Sequence, residues 1–269
     1  MRMKIKIILG IIVVAIVAFL VVNNLLLSPS EKSLVEKIKE RGKIIVGTSA
    51  DWPPFEYIDS SGGYAGIDIE IAKEIAKKLG VELEIKDMGF DSLIAALKGG
   101  QIDIIIADMA ITPERELEVD FSMPYFIDYF VFVTLSSSDV KSIEDLYGEK
   151  IGVQTGTTQE EWANSVLAGN CTIVSYERVF PEMVLELKKG ELKAILIGKF
   201  VADVIVSMDN DLKIAIEVPE TTEYAAIAVP QGAEDLKFIV NQVIKELLET
   251  GKLKQIVEAE VEEFIGVKS

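Results

Sequence analysis

Short apolar strand-like runs alternate with amphipathic helical stretches along most of this chain, and that alternation restricts the fold more than any other feature. Lys43–Thr48 reads as a strand. Asp68–Leu79 follows as a helix, with apolar residues at 71, 72, 75, 76 and 79 on one face and Gly80 ending it. Glu82–Lys86 is again a strand, Asp91–Lys98 a helix stopped by Gly99 and Gly100, and Ile102–Ala107 a buried-type strand. A second series comprises a strand at Lys150–Val153, a helix from about Thr157, a strand near Ile173, a helix at Pro181–Lys188 and a strand at Ala194–Ile197. Strands near Leu212–Ile216 and Ala225–Val229 lead into a long helix, Ala233–Thr250, whose stripe of Leu236, Ile239, Val240, Val243, Ile244, Leu247 and Leu248 reads as core. This spacing implies parallel β-α-β units, hence an α/β sheet covered on both faces. Two such series imply two lobes, with a ligand between them at the carboxyl ends of strands.

Composition narrows the chemistry. The chain has no histidine and one cysteine, Cys171, which removes the usual zinc sites, the Ser-His-Asp and Cys-His nucleophile arrangements, and any disulfide within the chain. No metal or cofactor is expected, and no catalytic residue. Cys171 opens an apolar run and reads as a small buried hydrophobe. The first thirty residues carry Arg2, Lys4 and Lys6 and no acid, leaving 24 bases against 44 acids in the remainder. Such a body repels nucleic acid and anionic lipid; it reads as a solvated acidic surface or as a bias toward cationic solutes.

The amino terminus sets the compartment. Behind the basic residues, Ile7–Leu27 is 21 residues without charge, close to the ~20 needed to span a bilayer. Positive charge ahead of the run keeps that end in the cytoplasm and sends the body outside. Residues 1–30 therefore read as an uncleaved membrane anchor or, alternatively, a signal segment, and 31–42 as linker and lead-in. Either way the body is extracytoplasmic.

Two strand-to-helix turns carry the candidate chemistry. In Ala107-Asp108-Met109-Ala110-Ile111-Thr112-Pro113-Glu114-Arg115, Thr112 is suited to the N-cap and Pro113 to the first helical position. Arg115 falls in the first turn, where the helix dipole disfavours a cation. It is either half of a surface salt bridge or a bidentate clamp for a carboxylate. In Gln154-Thr155-Gly156-Thr157-Thr158-Gln159-Glu160, Thr157 and Glu160 form a capping box and Gly156 permits a sharp turn, which again exposes a helix start suited to an anion. Trp52 lies in a Pro-rich loop just past the first strand, as a core plug or a stacking platform.

Five segments now occur in order: Ala50-Asp51-Trp52-Pro53-Pro54-Phe55-Glu56, Gly66-Ile67-Asp68-Ile69, Ile111-Thr112-Pro113-Glu114-Arg115, Val119-Asp120-Phe121-Ser122 and Gly152-Val153-Gln154-Thr155-Gly156-Thr157-Thr158. Together they resemble the polar-amino-acid family of type II periplasmic binding proteins, over about residues 40 to 264. The resemblance implies a two-lobed α/β fold, each lobe a mixed, mostly parallel sheet flanked by helices. Lobe 1 would be 43–124 plus 225–264, lobe 2 would be 130–219, and the hinge 125–129 and 220–224. It also implies a monomeric receptor that hands a small carboxylate-bearing solute, a polar or basic amino acid, to the permease subunits of an ABC-type importer.

By the same resemblance the ligand's side chain lies between Trp52 and Phe90, and its carboxylate meets Arg115 and backbone amides at Ala110 and Thr158. Ser49, Gln154 and Ile197 help select the side chain, and Asp51, Met109, Thr157 and Gly198 complete the expected site. Two positions depart from the family. Ala110 stands where relatives carry Thr or Ser, and Gly198 where they carry the Asp that holds the ligand's ammonium, while Asp108 replaces a small residue. A buried ammonium without a partner costs on the order of several kcal/mol. Asp108 supplies the missing charge, or the ligand is an organic acid or modified amino acid, or Asp108 is a solvated or capping acid. Two other roles stay open for this fold: a dehydratase, in which Asp108 and Asp51 would do acid–base work, and the ligand-sensing part of a signalling receptor.

Overall fold

The computed structural model describes residues 32–266. The anchor or leader expected at 1–30 lies outside the described residues. The remainder begins with α1 (Leu34–Arg41), β1 (Lys43–Thr48), β2 (Asp51–Trp52), β3 (Glu56–Ile58), β4 (Tyr64–Ala65), α2 (Ile67–Leu79) and β5 (Glu82–Asp87). Then come α3 (Leu93–Lys98), β6 (Ile104–Ile105), α4 (Pro113–Glu116), β7 (Asp120–Phe121) and β8 (Phe126–Leu135). After these follow β9 (Lys150–Gln154), α5 (Thr158–Val166), β10 (Thr172–Tyr176), α6 (Val184–Lys188), β11 (Ala194–Gly198) and α7 (Lys199–Met208). The chain closes with β12 (Leu212–Ala225), β13 (Ala228–Val229), α8 (Glu234–Glu249) and α9 (Lys252–Phe264).

The two β-α series build two five-stranded sheets, ordered β5-β1-β6-β13-β7 and β10-β9-β11-β8-β12. Each is parallel at one side and antiparallel at the other. In the first, β1 pairs in parallel with β5 and β6, and β13 runs antiparallel to β6 and β7. In the second, β9 pairs in parallel with β10 and β11, and the long strands β8 and β12 close the sheet antiparallel. The chain leaves the first sheet after β7 and returns to it between Ala225 and Ala228, so β8 and β12 begin and end beside the first sheet. A small third sheet, β2-β3-β4, braces the loop after β1.

Packing follows the apolar stripes. Helix α2 buries Ile67, Ile71, Ala72, Ile75 and Leu79, and Gly80 ends it in the left-handed region at φ 73°, a conformation glycine adopts without steric cost. Helix α8 buries Leu236, Val240, Val243, Ile244 and Leu247, each worth about 2 kcal/mol of transfer energy. Leu248, expected on that stripe, is exposed, because it lies about 100° round the helix from buried Leu247, beyond the edge of the stripe. Three helices were not read from the pattern. Helix α1 lies in the expected lead-in, α7 follows β11 directly, and α9 packs on α8 after a single left-handed glycine, Gly251. Cys171 is half-buried rather than buried, with Sγ donating to the Leu146 carbonyl at 3.2 Å.

A candidate ligand cleft between the sheets

The carboxyl ends of β1, β6, β9 and β11 point at one cleft, walled by Ser49, Trp52, Phe90, Asp108, Ala110 and Arg115 from the first side and by Gln154, Thr157, Thr158 and Gly198 from the second. Ten of the thirteen expected site residues thus converge. Three do not. Met109 and Ile197 pack in the hydrophobic core, Ile197 as strand alternation requires next to Gly198 and Met109 just past the turn at Asp108. Asp51 lies one layer behind the wall, where its carboxylate accepts from Ser49 Oγ at 2.7 Å and Gln154 Nε2 at 3.3 Å.

Arg115 is no surface ion pair. Thr112 caps α4, accepting from the Arg115 amide, and Pro113 opens the helix as expected. The side chain then folds back into the cleft, 8% exposed. Its Nη1 donates to the Ala110 carbonyl at 2.7 Å and its Nη2 to the Gly156 carbonyl at 3.1 Å, across the cleft. Phe90 lies under the guanidinium, 5.4 Å from ring centre to Cζ. Burial pulls Arg115 below its ordinary range, and the charges of Glu223, Glu161 and Glu114 push back.

Across from it, Thr157 caps α5, accepting from the Glu160 amide at 3.2 Å. Glu160 reaches back to the amide of Gly156 rather than that of Thr157, so the expected capping box is displaced by one residue. Gly156 has a second constraint besides its φ of 77°. A Cβ there would stand 2.8 Å from Cβ and 3.0 Å from Cα of Asp91, where the two sides meet.

The acids are the part that sequence reasoning saw least. Asp108, at φ 44°, is the described non-glycine residue with positive φ, a region Asp tolerates better than most. Its amide donates to Asp68 Oδ2 at 2.8 Å, and its own Oδ2 accepts from Trp52 Nε1 at 3.0 Å. Burial pushes its carboxyl well up, and the nearby charges of Asp68 and Asp128 add to that. Behind it, fully buried Glu56 is pushed well up by burial and by Asp68, and Asp68 is itself raised to about 7 by burial. Glu56 Oε2 and Asp68 Oδ1 face no other partner, so a proton held between these two carboxyls satisfies both.

Asp128 and Glu223, directly opposite each other on β8 and β12, also line the cleft and went unnoticed in the sequence. The signal that could have found Asp128 is the missing side chain at Gly198. A Cβ on Gly198 would meet Asp128 Oδ2 at 2.7 Å, so the Asp128 carboxylate stands where a side chain from 198 would point. It also does that residue's capping work, accepting from the Phe200 amide in the first turn of α7 at 3.0 Å. Burial raises Asp128. Burial likewise pushes Glu223 up to about 7, while a hydrogen bond from Thr158 and the charge of Arg115 pull it back. Glu56, Ala107, Tyr129, Phe130, Gln159, Leu196 and Ala225 complete the wall.

Comparison with known proteins agrees with this architecture. Residues 44–261 match the model of the bacterial extracellular solute-binding proteins, family 3. The L-cystine-binding protein TcyJ of Escherichia coli strain K12 is 31% identical over 93% of this chain and 92% of its own. The arginine-binding extracellular protein ArtP of Bacillus subtilis strain 168 is 34% identical over 80% of this chain and 84% of its own. Among solved structures, the amino acid ABC transporter substrate-binding protein AbpA of Streptococcus pneumoniae, bound to L-arginine, superimposes with a TM-score of 0.81 at 32% identity, covering 87% of this chain and all of that one. With two mixed sheets, a cleft at their strand ends and these matches along nearly its whole exported body, the chain belongs to the bacterial extracellular solute-binding proteins, family 3.

Proposed function

We propose that this chain is an extracytoplasmic receptor that captures an α-amino acid with a cationic side chain and delivers it to an ABC-type importer, working as a monomer. The observation that carries the reading is the charge of the cleft wall: one cation, Arg115, faces Asp108, Asp128 and Glu223. Arg115 clamps the ligand carboxylate with its remaining N–H groups, aided by the backbone amides at the start of α5. That leaves a surplus of carboxylates in a poorly hydrated cleft, which a ligand with an ammonium and a second cation neutralises and a neutral side chain does not. Asp128 takes the place of the side chain missing at 198 and, with Asp108, holds the α-ammonium. Trp52 and Phe90 carry the aliphatic stem. Relatives whose names specify arginine support the same reading.

The residues around 125–129 and 220–224 act as the hinge, and ligand capture closes the two sides. The anchor or signal segment at 1–30 delivers the body outside the cell; among the described residues no helix is long and apolar enough to cross a membrane. The test is a thermal-shift screen of protein stripped of ligand by unfolding and refolding, against arginine, lysine, ornithine, histidine, glutamine, cystine and small dicarboxylic acids. A ligand at a hundred times its Kd adds about 2.7 kcal/mol, a shift of several degrees. Stabilisation by the cationic members above the rest is expected; stabilisation by the acids alone would overturn the reading. Prephenate and arogenate are expected to survive incubation with the protein unchanged.

A further inference from the structure

Asp51 does not touch the cleft, yet two of the polar side chains that do are bonded to it. Ser49 Oγ donates to Asp51 Oδ1 at 2.7 Å, and Gln154 Nε2 donates to Asp51 Oδ2 at 3.3 Å. The first comes from the end of β1 and the second from the end of β9, so one carboxylate orders groups on both sides of the cleft. Asp51 is 4% exposed and is held in place from the far side as well. The Val179 amide donates to its Oδ2 at 2.5 Å, and Arg178 Nη1 lies 3.6 Å from its Oδ1. Arg178 is fixed in turn by a bidentate pair with Asp87, at 2.8 and 3.1 Å.

These bonds decide what Ser49 and Gln154 can offer a ligand. A serine hydroxyl has one proton, and this one is committed to Asp51, so Ser49 meets the cleft with lone pairs. The Gln154 amide nitrogen gives one of its two N–H groups to Asp51, and that orientation turns the nitrogen away from the cleft and the amide oxygen toward it. We propose that Asp51 is a positioning residue that sets specificity: by taking the Ser49 proton and turning the Gln154 amide nitrogen toward itself it makes that end of the cleft accept hydrogen bonds, so that the ligand's distal group must be a donor such as a guanidinium or ammonium, not a ureido or amide carbonyl. The inference rests on the cationic-ligand reading above and narrows it to the hydrogen-bonding character of the side chain. A misplaced carbonyl facing two acceptors leaves buried groups unpaired, which costs a factor of about ten or more in affinity.

The test is a pair of titrations, arginine against citrulline, in which a ureido oxygen replaces one guanidinium nitrogen. In the natural protein arginine is expected to bind more tightly than citrulline by well over tenfold. Asp51→Asn, whose amide can donate to Ser49 and release its proton to the cleft, is expected to shrink that ratio about tenfold. Glu177→Gln is the control, because it removes a neighbouring charge that acts on Arg178 without a hydrogen bond to Asp51, Ser49 or Gln154; the ratio should move by less than about threefold. Equal shifts in the two variants would reduce the effect to charge alone and overturn the proposal, as would no shift in Asp51→Asn. Should Asp51→Asn fail to fold, Ser49→Ala gives the same readout, and an unchanged ratio there also overturns it. A natural protein that binds neither arginine nor lysine would overturn the cationic-ligand reading itself, and this inference with it; a protein that binds both with the ratio untouched by Asp51→Asn would overturn this inference only.

Discussion

The two sides of the cleft are made in different ways. The first side is a tied-down frame: Trp52 is hydrogen-bonded to Asp108, the Asp108 amide to Asp68, and Arg115 to the turn that carries it. Most of these contacts lie within that side, and Arg115 adds one bond across the cleft, to the Gly156 carbonyl. The second side offers helix starts and strand ends, Thr157 and Thr158 at α5, Gly198 at α7, and Asp128 and Glu223 on the strands that run back toward the first sheet. The difference suggests a division of work, in which the first side supplies the Arg115 clamp and the stem platform while the second adds the α5 amides and most of the carboxylate charge on closure.

That division can be broken from either side. Arg115→Ala is expected to have the largest effect, a loss of about 3–5 kcal/mol in binding, because it leaves a buried carboxylate without its partner. Calorimetry with the best ligand of the screen measures it, and a loss under tenfold would remove Arg115 from the site. Next comes Asp128→Asn, expected to cost ten- to a hundredfold in affinity for a ligand with an α-ammonium. A des-amino analogue should feel the substitution much less. If Asp108→Asn alone weakens binding, the ammonium belongs to the first side and the division fails.

Gly156→Ala tests closure rather than chemistry. The added Cβ collides with Asp91 and takes on a positive φ, so affinity should fall by about tenfold. Small-angle scattering should then show a more open molecule at saturating ligand; a profile identical to that of the natural protein would place the contact outside the closing motion.

The smallest effect concerns Glu223. Its carboxyl is raised from 4.5 to about 7 in the folded protein, so between those values the folded state holds more proton than the unfolded one. Stability from this group is therefore full below pH 4.5 and is lost as pH rises through 7. Ligand binding runs the other way. A cationic ligand favours the ionised carboxylate, so its affinity should climb severalfold from pH 6 to pH 8, with a proton released on binding. Glu223→Gln is expected to flatten both slopes, measured by denaturant unfolding and by titration in buffers of different ionisation heat. A slope unchanged in the variant would assign it to another acid, Asp68 being raised to about 7 as well.

The same contrast explains what was legible in the sequence. The first side is written in local signals: Thr112-Pro113 marks a helix start, and Arg115 and Trp52 fall at fixed offsets from a strand and a cap. The parallel strands and amphipathic helices could be read because burial on one face imposes periodicity. Asp128 and Glu223 had no such signal, because their place in the cleft depends on the antiparallel register of β8 and β12, strands about ninety residues apart in sequence. Their long-range pairing has no local sequence mark. Asp51, Met109 and Ile197, expected in the site, stand off the cleft wall for a related reason. Proximity to a strand end does not say which way a side chain turns, and here all three lie off the cleft wall.

The most direct test of a cleft built for a cationic α-amino acid is a calorimetric titration of the stripped protein with arginine at pH 8. The expected result is one site per chain with a Kd in the micromolar range or below, weakened at pH 6 and lost in Arg115→Ala. No binding of arginine, lysine or ornithine, together with saturable binding of an uncharged or acidic carboxylate, would contradict it.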